Sequence, residues 1–132
     1  MAALRSNSAL TDCANSAGVT GVNNFVGSTL VSSTLFGANT ETTWLITGTD
    51  SGSLNNGAVA FSQFQNITGG AAADTFDFST STTGSITGTI AGGVTAANTL
   101  VGRNAANTWT MLGANNGTLA RTDGNPYVTN FE

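Results

Sequence analysis

Residues 44–54 read WLITGTDSGSL, and residues 109–119 read WTMLGANNGTL. The two stretches lie 65 residues apart, and each follows a tetrad of Thr, Leu, an apolar residue and Gly, at 34–37 and at 99–102. Self-similarity at a fixed period is the signature of a repeat architecture. The fold is therefore expected to consist of units that stack on one another.

A shorter period lies within the long one. An apolar residue, any residue and Gly recur from Ile46, Ile67, Ile90 and Met111, with spacings of 21, 23 and 21 residues. Three short units make one long repeat, so two periods that are visible independently agree. A unit of this size has the length of one coil of a parallel β-solenoid, in which stacked coils bury a continuous core that one coil cannot bury alone.

Alternation within the units indicates strands. In Thr75-Phe76-Asp77-Phe78 the two Phe side chains fall on one face of a strand and the polar pair on the other. We therefore predict an all-β protein, a parallel β-solenoid of about six coils of roughly 21–23 residues. An antiparallel β-sandwich, which also gives short strands at regular spacing, remains the alternative.

The chain divides into two regions. Residues 1–17 lack the rhythm of Gly and Thr and are interpreted as an N-terminal cap or a frayed end. Residues 18–132 are the predicted β-solenoid repeat domain, in which Trp44 and Trp109 are equivalent. The pattern near residue 132 leads up to a further strand. We therefore expect an uncapped C-terminal coil that self-associates or pairs with adjacent repeats of a longer chain.

Composition excludes several functions. Three Arg, no Lys and a net charge of −4 make nucleic acid an unsuitable partner. The sequence contains no apolar run long enough to span a membrane. Without His or Lys, a Ser or Cys nucleophile lacks its usual partner base, and Cys13 alone makes neither a zinc site nor an internal disulfide. We predict that the protein is not an enzyme and needs no cofactor.

Trp44 and Trp109 are the candidate ligand-binding positions. At equivalent places in stacked units, two Trp rings form either an aromatic surface that holds a glycan or part of the core, where a Trp buries a large area. We favour the core. Ice binding is a further alternative because Thr is abundant, although the pattern Thr-x-Thr does not recur in every unit.

One segment resembles a known class of repeats. Residues 64–78, which read FQNITGGAAADTFDF, resemble the repeats of filamentous-haemagglutinin-like adhesins and of related glycine-aspartate-rich calcium-binding proteins. The resemblance covers roughly residues 34–132. It implies a β-solenoid, a location outside the cell or on the bacterial surface, and a structural or adhesive role. The alternatives are a solenoid that binds glycan or ice, and a calcium-dependent secreted repeat.

The calcium motif of that class is only partly present. Residues 69–77 follow its pattern, Gly-Gly-x-Gly-x-Asp-x-apolar-x, through Asp74, but Ala72 replaces the third Gly. A second copy at 92–100 has one extra residue and Asn98 in place of Asp. Calcium takes six to eight oxygen ligands, and this chain supplies few carboxylates for them.

The resemblance implies a weak calcium site at Asp74 and Asp77. The local interpretation is that Asp74 accepts hydrogen bonds from its own turn, as Asp commonly does. We favour the local interpretation and regard the motif as a relic.

Overall fold

A computed structural model of the chain describes residues 21–93, 97–114 and 116–131. These residues form twelve β-strands and no helix, which confirms the predicted all-β class. The cap predicted for residues 1–17 lies outside the described residues. The strands are β1 (Asn24–Val26), β2 (Thr34–Phe36), β3 (Thr43–Gly48), β4 (Ser51–Leu54), β5 (Val59–Ser62), β6 (Asn66–Thr68), β7 (Thr75–Asp77), β8 (Ile86–Ala91), β9 (Thr99–Val101), β10 (Asn107–Gly113), β11 (Asn116–Arg121) and β12 (Pro126–Phe131).

The strands form two mixed six-stranded sheets. The first sheet has the order β1-β5-β4-β3-β7-β9, and the second has the order β2-β6-β8-β12-β11-β10. Each sheet contains three parallel pairs and two antiparallel pairs. The predicted stack of uniform parallel coils is therefore not what the structure shows, and two mixed sheets are also compatible with the β-sandwich alternative.

The coils are not uniform because each long repeat contains a β-hairpin. β3 and β4 are joined by a turn at Thr49 and Asp50, and β10 and β11 are joined by an equally short turn. Two strands that a tight turn connects run antiparallel. Neighbours across parallel strands are 23 residues apart where no hairpin intervenes, as for Asn66 and Thr89. They are 32 residues apart where the first hairpin lies between them.

The core lies along the apolar faces of these strands. Phe76 and Phe78 are both buried, as their alternation with polar residues predicts. Ile67 pairs in register with Ile90 across β6 and β8, which confirms the expected neighbour relation of these two residues. The buried apolar residues are Leu35, Trp44, Ile46, Phe61, Phe64, Ile67, Phe76, Phe78, Ile86, Ile90, Leu119, Tyr127 and Val128.

The two stretches that read as copies form two matching hairpins. Trp44 pairs with Leu54 in β3 and β4, and Trp109 pairs with Leu119 in β10 and β11. Each hairpin also has one register shift, which falls two residues after its Trp. The strands around them correspond as well, since Phe25 of β1 pairs with β5 and Ile90 of β8 pairs with β12. The 65-residue repeat is thus a repeat of strand pairing.

Glycine is required at the same place in both hairpins. A Cβ on Gly52 would lie 2.0 Å from the carbonyl oxygen of Leu45, and a Cβ on Gly117 would lie 2.4 Å from that of Thr110. Both separations are far below van der Waals contact, so a larger residue would force the two strands apart.

Candidate functional site

Trp44 is a core residue. Its side chain has no exposed surface, and its ring stacks on Phe76 with the centroids 5.7 Å apart and an angle of 21° between the planes. Phe61 meets the same ring edge-on at 5.8 Å. Burial of an aromatic group among aromatic neighbours stabilises the fold, and this Trp has no surface left to offer a ligand.

Trp109 occupies the equivalent place in the second hairpin, yet 47% of it is exposed. The difference follows from the strands around it. β3 has β7 on its outer side, whereas β10 is the last strand of the second sheet in the described part of the chain. Met111 and Leu112 on the same strand are 61% and 67% exposed. Together, Trp109, Met111 and Leu112 form an exposed apolar edge, which we call the β10 edge.

Asp74 links three successive loops. Its Oδ1 accepts a hydrogen bond from the backbone N–H of Thr42 at 2.9 Å, and its Oδ2 accepts one from Gly70 at 2.7 Å. Its own N–H donates to Oδ1 of Asn98 at 2.8 Å. The side chain is 1% exposed. Burial raises the pKa of the Asp74 carboxyl group, and the hydrogen bonds from Gly70 and Thr42 partly oppose that rise.

The surroundings of Asp74 do not fit a calcium ion. The groups that face its two carboxylate oxygens are N–H donors, which cannot coordinate a cation. Asp77 accepts from the N–H of Ser79 in its own turn at 2.6 Å. Among residues 21–93, 97–114 and 116–131, no three His, Cys, Asp or Glu side chains lie close enough to hold a metal ion.

Asp50 is a second structural carboxylate, whose role the sequence did not reveal. It lies in the turn of the first hairpin with a φ of 51°. Its carboxylate accepts hydrogen bonds from Thr87 through the backbone N–H at 2.8 Å and the hydroxyl at 2.8 and 3.0 Å. Its own N–H donates to the carbonyl of Ser85 at 2.8 Å. These bonds tie the hairpin of the first sheet to β8 of the second.

Two arginines line an open cleft of about 480 Å³, together with Asp123 and with hydroxyl and amide side chains such as Thr122 and Asn104. They are Arg103 and Arg121, the cationic side chains of the described region. The Nε atoms of both are buried without a hydrogen-bond partner in that region. Sequence reasoning counted these residues only as charges, because their proximity depends on how β9 and β11 are placed.

Arg103 is held from below. It is 7% exposed, its guanidinium lies 4.2 Å from the ring centroid of Tyr127, and one of its Nη atoms donates to the carbonyl of Gly84. Burial lowers the pKa of Arg103, and the positive charge of Arg121 lowers it further. The Tyr127 hydroxyl accepts from the backbone N–H of Arg103 and donates to Asn107. A fixed guanidinium of this kind is suited to a planar anionic group.

Comparison with known proteins finds no matching family model, no matching curated protein and no matching solved structure. The strands described above include no helix long and apolar enough to cross a membrane.

Proposed function

We propose that the chain is a non-enzymatic structural or adhesive module of an extracellular or bacterial cell-surface protein. In this proposal it is a β-solenoid into which two hairpins are inserted, and it associates with a further copy or repeat through its C-terminal coil. The β10 edge is the observation that carries the proposal. It exposes Trp109, Met111 and Leu112, although the matching strand β3 is covered on that side by β7.

The order of the second sheet supports the solenoid part of the proposal. β2, β6, β8 and β12 follow one another in both sequence and space, and each pairs parallel with the next. Successive parallel strands that stack in chain order are what a coil repeated along an axis produces. The resemblance of residues 64–78 to adhesin repeats supports the proposed location and role.

The hydrogen bonds of the buried carboxylates support a role without catalysis. Asp50 and Asp74 each accept two or more hydrogen bonds from residues that belong to other loops. A carboxylate used in this way fixes the backbone and has few lone pairs left for proton transfer.

Sedimentation velocity over a wide concentration range tests the proposal. We expect self-association that grows with concentration and weakens in Trp109→Glu, because a charge placed on the β10 edge opposes burial. Thr47→Glu is the matched control, since Thr47 is exposed at the equivalent end of β3. A protein that stays monomeric at high concentration would overturn the proposed association.

Glycan binding is a second candidate, which the cleft beside Arg103 and Arg121 favours. Two guanidinium groups among hydroxyl and amide side chains are suited to an acidic sugar, whose carboxylate pairs with Arg and whose hydroxyls take the remaining hydrogen bonds. Calorimetric titration with an oligosaccharide of uronic acids tests this candidate. We expect binding that is lost in Arg121→Ala and absent for the neutral oligosaccharide, and heat changes that are equal for both sugars would contradict it.

A further inference from the structure

We infer that the partner of the C-terminal coil is a second copy of this chain, whose β1 and β2 seat on β9 and β10 in a fixed parallel register. The inference rests on the proposed function and deepens it, because it names the two surfaces and the residues that meet.

The chain itself shows how such strands are covered. β6 pairs parallel with β2, which places Ile67 beside Leu35, and β7 pairs parallel with β3, which places Phe76 beside Trp44. In the 65-residue repeat β9 corresponds to β2 and β10 corresponds to β3. The outer sides of β9 and β10 have no partner strand in the described part of the chain. They are thus the places where strands like β6 and β7 would pair.

The opposite end of the molecule supplies two strands of that kind. β1 reads Asn-Phe-Val and β6 reads Asn-Ile-Thr, while β2 reads Thr-Leu-Phe and β7 reads Thr-Phe-Asp. Each pair shares its first residue and has a large apolar residue at the centre. The connecting loops are also alike in length, since Phe25 and Leu35 are ten positions apart and Ile67 and Phe76 are nine apart.

The edges at that end are open and lie in the correct sheets. β1 and β2 are the first strands of the two sheets, and neither has an outer neighbour among the residues that the structure describes. β1 and β9 both belong to the first sheet, and β2 and β10 both belong to the second. Stacking one copy on the next therefore extends each sheet without a change of partner.

The register follows from the internal example. Thr43, Trp44 and Leu45 pair with Thr75, Phe76 and Asp77 in β3 and β7. The corresponding contact between copies places Thr108 beside Thr34, Trp109 beside Leu35 and Thr110 beside Phe36 of the next copy. It would cover the exposed face of Trp109 with an apolar side chain, as Phe76 covers Trp44.

Such a contact joins two different surfaces, so it does not close on itself. A heterologous contact that does not close builds an open filament. The loop between β1 and β2 carries Leu30 and Val31, which are 92% and 63% exposed. In this arrangement the loop packs on the loop that follows β9, as the β6–β7 loop packs on the residues after β2 through Gly70 and Ala38.

Disulfide trapping between single-cysteine variants tests the register. Each variant carries Cys13→Ser, so that the introduced thiol is alone. When Thr34→Cys and Thr108→Cys are mixed under mild oxidation, we expect a disulfide heterodimer, because residues that face each other on paired strands meet the distance requirement of the bond. Phe36→Cys mixed with Thr110→Cys probes the neighbouring pair independently, should either of the first variants fold poorly.

Thr34→Cys mixed with Thr47→Cys is the control, since Thr47 is exposed on a strand that β7 already covers. We expect the heterodimer to be lost in this mixture and after addition of Trp109→Glu to the Thr108→Cys chain. Association in sedimentation without trapping above the control at either pair would overturn the register and leave the proposed function standing. A strict monomer would overturn both.

Discussion

Ile67 and Ile90 lie in register on the neighbouring parallel strands β6 and β8, and at most 2% of either side chain is exposed. Ile90 also pairs with Phe131 on the other side, so it sits at the centre of a column of apolar residues that crosses the second sheet. Close packing of this kind makes the position intolerant of charge and of lost volume.

Ile90→Asp should lower the free energy of unfolding by several kcal/mol, because the carboxylate would be buried without a partner. Ile90→Val, which removes one methylene group, should cost only about 0.5–1.5 kcal/mol. Urea unfolding followed by far-ultraviolet circular dichroism measures both. A melting transition of Ile90→Asp that matches that of the wild type would place Ile90 outside the core.

Trp44 and Trp109 should differ sharply in their contribution to stability. Trp44→Ala removes a ring that is fully buried between Phe61 and Phe76, and we expect a cost of about 3–5 kcal/mol. Trp109→Ala removes a ring that is half exposed, and the cost should be clearly smaller. Urea unfolding at a concentration low enough to keep the chain monomeric makes the comparison. Equal costs would contradict the environments described for the two rings.

Sequence equivalence predicted the pairing of the two hairpins but not the different exposure of their Trp residues. The pairing is local, because Trp44 meets Leu54 ten residues away, and the same spacing in the second copy gives the same register. The burial of Trp44 depends on Phe76, which arrives from another strand, 32 residues along the chain. No feature of residues 109–119 reports whether such a strand follows.

The reversal of the chain at the hairpins was also beyond the sequence pattern. Alternating residues in 44–54 fit either one strand with a corner or two antiparallel strands. The choice depends on the turn at Asp50, whose positive φ is stabilised by hydrogen bonds to Thr87 on a distant strand. The short period, by contrast, is set by apolar residues that must stack, and it placed Ile67 beside Ile90 correctly.

Asp50→Ala should destabilise the protein because it leaves the N–H of Thr87 without its carboxylate acceptor. Loss of hydrogen bonds to a charged group typically costs about 1.5–3 kcal/mol. Asp50→Asn keeps one acceptor oxygen and should cost less, in keeping with the Asn at the matching position 115. A double-mutant cycle with Thr87→Val measures the coupling through the hydroxyl. Additive effects of the two substitutions would show that the clamp contributes nothing.

Asp74 should give stability a specific dependence on pH. Burial raises the pKa of its carboxyl above the ordinary value of 3.8, so the folded state favours the protonated form. A group with a raised pKa in the fold contributes stability that is present below pH 3.8 and is lost as the pH rises through the folded pKa. The wild type should therefore lose stability relative to Asp74→Asn over that range.

Urea unfolding of both proteins from pH 3 upward gives this difference directly. A constant offset between the two curves reflects the amide, which replaces one acceptor oxygen with a donor facing an N–H group. Only the slope of the difference reports the ionisation of Asp74. A wild type that gains stability relative to the variant as the pH rises would mean that the hydrogen bonds from Gly70 and Thr42 outweigh burial.

Calcium should leave the stability of this protein unchanged, because both carboxylate oxygens of Asp74 already accept backbone hydrogen bonds. An ion that binds only the folded state raises the free energy of unfolding by about 2.7 kcal/mol when its concentration is a hundred times the dissociation constant. Thermal unfolding in millimolar calcium, in matched magnesium and in a chelator should therefore give one midpoint. Asp74→Ala should melt lower than the wild type by the same margin in all three solutions, since it unties the loops of Thr42 and Gly70. A rise of several degrees that is confined to calcium and to the wild type would restore Asp74 as a metal ligand.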